Sequence, residues 1–185
     1  MKWHRVLHTI TAAVLITLPF PSGAAHCDAK TWNRALTLQQ SLDTQYNQHA
    51  ERFNQLLSFH QAQPFLYQEF SPNEIRSFWQ SNKQTLLKSL QGQIAASQAV
   101  VQNIAQERAQ LNPLLGRAVS LQQRWLQISQ HCKKIDNQSN TITSWNYAQN
   151  NKALIEQIHQ LDEKLTTLQQ RYQNEVRALE NARRQ

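Results

Sequence analysis

The stretch NKALIEQIHQLDEKLTTLQQRYQNEVRALENARR, residues 151–184, decides the fold. Leu154, Ile158, Leu161, Leu165, Leu168, Tyr172, Leu179 and Ala182 recur at three- and four-residue steps, and only Glu175 interrupts them. Side chains so spaced share one helical face, and a seam sustained for about four heptads predicts coiled-coil packing against another helix. We expect Leu154, Ile158, Leu161, Leu165, Leu168 and Tyr172 to form its helix-interaction surface.

Composition agrees with that reading. The 185 residues include 3 Gly and 5 Pro, too few to punctuate a turn-rich sandwich or barrel. They also include 28 Gln, an uncharged helix former that keeps exposed helical faces wet. The predicted fold class is all-α: an elongated antiparallel bundle, or coiled-coil rod, of three or four helices.

Outward from the seam, residues 136–143 are polar and read as a loop, so the last helix is expected over about 144–184. A first helix is expected over about 31–60, with Trp32, Ala35, Leu42, Tyr46, Phe53 and Leu56 on its apolar face and Gln39, His49 and His60 interrupting it. After Pro64 comes an aromatic connector, Phe65, Leu66, Tyr67 and Phe70. Ser71, Pro72 and Glu74 then form an S-x-x-E capping box with proline at the first helical position. From there one long helix is expected over about 72–134. Its stripe keeps phase across Pro113, which favours a kinked helix over a new one capped by Asn112.

Residues 1–25 have the layout of a secretory signal peptide. Lys2 and Arg5 precede a mostly apolar run from Val6 to Phe20, and small residues end at Ala24 and Ala25. The run is shorter than the roughly 20 residues needed to cross a bilayer. Cleavage after Ala25 leaves a single domain, residues 26–185, with 17 Lys and Arg against 12 Asp and Glu, a net charge of +5. Export of a basic chain points to the periplasm and to anionic envelope surfaces; no nucleic-acid partner is expected. Arg177, Arg183 and Arg184 read as a solvated helix end, where cations oppose the negative pole of the dipole.

Two cysteines, Cys27 and Cys132, remain in the expected mature chain, and an oxidising compartment predicts a disulfide. An intramolecular bridge is the first expectation and an intermolecular one the alternative. An intramolecular bridge sets the register of the first two helices. It places His60 level with about Ala99 and leaves residues 72–98 overhanging by about 40 Å. The connector would run extended along that overhang. The last helix would reach the level of about Ile94.

No phosphate-binding glycine loop, nucleophile elbow or H-E-x-x-H motif is present. Asp162 and Glu163 are adjacent and so face different ways on a helix. The sequence therefore predicts no catalytic residue and no cofactor. His26-Cys27 and His131-Cys132 are paired dipeptides. If reduced and brought together they offer two thiolates and two imidazoles, a ligand set for zinc or copper, but oxidation would consume the sulfurs. Trp32, Trp79 and Trp125 fall on predicted seams; Trp145 does not.

Leu36-Thr37-Leu38-Gln39-Gln40 and Leu165-Thr166-Thr167-Leu168-Gln169 both fit L-T-x-x-Q. In this the chain resembles the small helical periplasmic stress chaperones of the Spy and CpxP type. The resemblance implies ATP-independent binding of unfolded clients, although Met1 is the sole methionine and that family's methionine-rich surface is missing. The sequence thus predicts an exported, non-enzymatic helical adaptor or structural subunit of an envelope complex. Its partner would be a helical envelope protein or a second copy. A periplasmic chaperone and a metal-binding module are the alternatives.

Overall fold

A computed structural model describes residues 27–61 and 63–185, so the signal-peptide expectation for residues 1–25 and the candidate ligand His26 lie outside the described residues. The fold is all-α. Among the described residues five helices follow in order: α1 (Ala29–Gln61), α2 (Leu66–Glu69), α3 (Pro72–Trp79), α4 (Gln84–Lys134) and α5 (Gln138–Arg184). At 1.5 Å per residue, the 51 residues of α4 make a rod of about 75 Å.

α4 and α5 form an antiparallel hairpin along the full length of the rod. Near the hairpin turn, Ser129 donates to the Thr141 carbonyl. Midway, Arg108 holds Asp162 through two bonds, Nε to Oδ1 at 2.7 Å and Nη2 to Oδ2 at 3.2 Å, and Nη1 donates to Gln169. At the far end Gln98 donates to Glu180. Trp125, Ile128, Leu165 and Leu179 are among the fully buried side chains between the layers. Burial of that seam, at about 1.5–3 kcal/mol for each large apolar side chain, is what holds helices this long together.

The third layer is α1, antiparallel to α4 and fixed at its foot by the Cys27–Cys132 disulfide, with Cα atoms 5.1 Å apart. The register continues up the rod as the cysteine spacing predicts. Gln39 meets Trp125, Gln45 meets Arg117, and His49 meets Glu107. α1 runs parallel to α5, Gln39 standing beside Asn151 and His60 beside Tyr172.

Three expectations change. The long second helix is broken. α3 ends at Trp79, and the segment 80–83 turns the chain before α4 starts. The capping box is present as read, with Glu74 N–H bonded to the Ser71 hydroxyl and Ser71 N–H to the Glu74 carboxyl. It fixes where a helix starts, not how far it runs. The Ser81 hydroxyl accepts from Lys83 N–H, which satisfies that donor outside a helix. The apolar gap between Trp79 and Leu86 hid this break from the periodicity.

The overhang is accordingly covered, because α2 and α3 continue the course of α1 along α5, and α3 packs against the start of α4 and the end of α5. Ile75 packs there with Leu90, Ile94, Leu179 and Ala182 in a second small core. The connector is not extended either, because Leu66–Glu69 form a single helical turn. α5 reaches this second core, farther than the level of Ile94 that was expected.

The third change is at the hairpin turn. Residues 136–143 are not a loop, since α5 begins at Gln138 with Asn137 as its cap, the Asn137 Oδ1 accepting from Asn140 N–H at 3.1 Å. The Thr141, Thr143 and Ser144 hydroxyls bond back to carbonyls four residues earlier, so the helix absorbs this polar run. Asp136 takes φ 56°, and Asn137 N–H reaches back to the Cys132 carbonyl while Asp136 N–H reaches Lys133. This is the Schellman closure, built here without glycine. Pro113, by contrast, sits inside α4, which continues through it.

Candidate functional site

The polar residues that interrupt the seams of α1 and α5, Gln39, His49, His60 and Glu175, are buried. Gln39 Oε1 accepts from Trp125 Nε1 at 3.1 Å and from Asn151 Nδ2 at 2.6 Å. Around this pair Trp125 stacks on Tyr147 with centroids 4.5 Å apart, and Trp32 stands edge-on to both. One level up, His49 Nδ1 lies 2.5 Å from Glu107 Oε1, and Arg52 Nε donates to both carboxylate oxygens. Burial pushes the Glu107 carboxyl up, but the bonds from Arg52 and His49 and their charges outweigh it and hold it below the usual range.

His60 packs against Phe65 and Tyr172, at 5.1 and 5.6 Å, in a cluster of three mutually touching rings. Desolvation, and then the nearby Arg171 cation, lower its pKa. The most enclosed of these residues is Glu175, at 0% exposure. Its two carboxyl oxygens accept from the backbone N–H groups of Leu66 and Tyr67, each at 3.0 Å, and from Gln93 Nε2 at 3.1 Å. A side chain of α5 thus caps the single turn of α2 and ties the connector to α4.

The structure places the six predicted interaction residues inside the bundle. Leu154, Ile158, Leu161, Leu165, Leu168 and Tyr172 are all buried in the main core, so the seam is consumed internally and a partner must use another surface. Both cysteine sulfurs are in the disulfide, which removes the thiolates from the metal reading of Cys27 and Cys132. Beside them, His131 is half-buried. Among the described residues no group of three or more His, Cys, Asp or Glu side chains is arranged to hold a metal.

The two L-T-x-x-Q segments are not brought together. Gln39 stands level with Asn151, so Leu36–Gln40 lies about 25 Å along the rod from Leu165–Gln169. Leu165 and Leu168 are core residues, and Gln169 bridges to Arg108 and to the Val101 carbonyl.

Two grooves are lined by α4 and α5 alone. One, of about 510 Å³, is bordered by Gln98, Val101, Gln102, Gln173, Val176 and Arg177. The other, of about 500 Å³, lies around Leu111, Leu115, Ile158 and the Arg108–Asp162 bridge. Together they follow one face of the hairpin. Sequence reading did not find Asn151, although it stands three residues before Leu154 in the phase of the seam. It also did not find Ile142, which fell in the supposed loop. Among the described residues no helix is long and apolar enough to cross a membrane. Comparison of the chain with protein-family models, curated proteins and solved structures gives no match.

Proposed function

We propose that this chain is an exported, periplasmic helical adaptor or structural subunit of an envelope complex, and that it works without catalysis. The observation that carries the reading is the α4/α5 groove at Val101 and Val176, flanked by Gln98, Gln102, Gln173 and Arg177. Two apolar anchors between amides and a cation suit an amphipathic helix of a partner, laid along the hairpin with its own apolar residues at three- and four-residue steps. The signal-like residues 1–25 support export, and so does a disulfide, which persists in oxidising compartments. The test is affinity capture from an envelope extract with the wild type and with Val101→Asp/Val176→Asp. A discrete partner, lost in the variant while helicity is kept, is expected. A partner retained by the variant, or none in any extract and no self-association between differently tagged copies, overturns the reading.

The paired L-T-x-x-Q segments favour a second reading, an ATP-independent holder of unfolded envelope proteins. It predicts near-stoichiometric suppression of client aggregation without nucleotide. Failure with several unrelated clients removes it.

A further inference from the structure

The charge of the rod is uneven. Its disulfide end, residues 27–36 and 124–152, holds Lys30, Arg34, Arg124, Lys133, Lys134 and Lys152 against only Asp28 and Asp136. The middle, residues 37–61, 99–123 and 153–170, has four Lys and Arg against six Asp and Glu. The +5 thus divides into +4 at the disulfide end, −2 at the waist and +3 at the far end, where residues 62–98 and 171–185 hold seven Lys and Arg against four Glu.

The same end exposes large apolar side chains: Ile135 at 55%, Ile142 at 62% and Trp145 at 51%. Ile142 and Trp145 are three residues apart on α5 and so sit side by side on its outer surface. Ile135 is in the turn that joins α4 to α5. Around them residues 138–151 contain no charged side chain, and Lys133 and Lys134 form the last residues of α4. An exposed indole beside Ile142, with Ile135 and two lysines at the adjoining turn, matches the layering of a bilayer surface. Indole suits the headgroup level, aliphatic side chains enter the acyl boundary, and lysine stems lie along apolar surface with the ammonium at the phosphates. A second copy fits less well, because a two-fold contact would set Lys133 and Lys134 against themselves.

We infer that the disulfide end is a peripheral docking surface for an anionic phospholipid bilayer. Ile142 and Trp145 enter the interface, and Lys133 and Lys134 meet headgroup phosphates. The inference does not rest on the adaptor reading, since it concerns residues outside the α4/α5 groove.

The test uses the chain from residue 26 onward, which contains every core contact described above. It is floated with vesicles of equal parts phosphatidylglycerol and phosphatidylcholine, and with phosphatidylcholine alone. Binding at least about tenfold stronger to the anionic vesicles is expected, and it should weaken with salt. Ile142→Ser/Trp145→Ser should abolish it, and Lys133→Gln/Lys134→Gln should weaken it several-fold. Phe59→Ser, which removes an equally exposed apolar side chain (56%) elsewhere on α1, should leave it unchanged. Brominated lipid should quench a fluorescence component that disappears in Trp145→Phe. Equal binding to both vesicle types, no binding to either, or equal loss in the Phe59 variant overturns the inference. So does sedimentation of a dimer that the Ile142/Trp145 variant splits while the wild type ignores vesicles.

Discussion

Glu175 occupies a seam position where leucine would pack, and its carboxyl instead answers the Leu66 and Tyr67 N–H groups at the open end of α2. A short turn has no internal partner for those donors, and burial would leave them unmet. Glu175→Ala strands both, together with Gln93, and is expected to cost about 2–4 kcal/mol in urea unfolding. Hydrogen exchange at Leu66 and Tyr67 should accelerate first. Glu175→Gln keeps an acceptor and should cost less. Two other groups, buried His60 and half-buried Glu107, make stability depend on pH. The folded pKa of His60 lies below its ordinary 6.5, so the unfolded chain binds that proton more readily. Its contribution is complete above about 6.5 and is lost as pH falls through the folded value. Glu107, also depressed, adds stability above its ordinary 4.5 that is lost as pH falls through its own folded value. Unfolding midpoints should therefore fall in two stages on acidification. His60→Phe should remove the upper stage and Glu107→Gln the lower.

At the level of elements, the seams of α1, α4 and α5 were legible because apolar spacing is written locally. What stopped and started helices was not. Asn137 and the back-bonding hydroxyls extended α5 into a run that composition assigns to a loop. The segment 80–83 cut a helix whose phase looked continuous. The polar residues on the seams read as flaws because their partners lie 58 to 112 residues away in sequence, as with His49 and Glu107 or Gln39 and Asn151. Trp145 did carry a signal: among the described residues it was the one tryptophan off every predicted seam. Pro113 remains the weakest point of α4. It cannot donate to the Ala109 carbonyl and crowds it. Pro113→Ala is expected to stabilise the protein by about 1–3 kcal/mol, read as a higher urea midpoint with unchanged helical signal.

For the whole molecule, the disulfide closes a loop of 105 residues that contains α1, α2, α3 and nearly all of α4. A crosslink of that span removes unfolded-state freedom worth about 4–5 kcal/mol. Cys27→Ser/Cys132→Ser should lower stability by roughly that amount, with exchange rising first in the N-terminal half of α1. The α4/α5 hairpin should persist, because its seam does not involve the bridge. The same closure decides how the rod carries a mechanical load. Tension applied between Cys27 and Gln185 passes through the sulfurs to Cys132, around the turn at 135–137 and into α5. The elements upstream of Cys132, α1, α2, α3 and nearly all of α4, lie off that path. In an optical trap the oxidised chain should yield a contour of only about 180 Å, against roughly three times as much when reduced. Most of this protein is therefore shielded from any pull on its ends, and α5 is the part that would feel one.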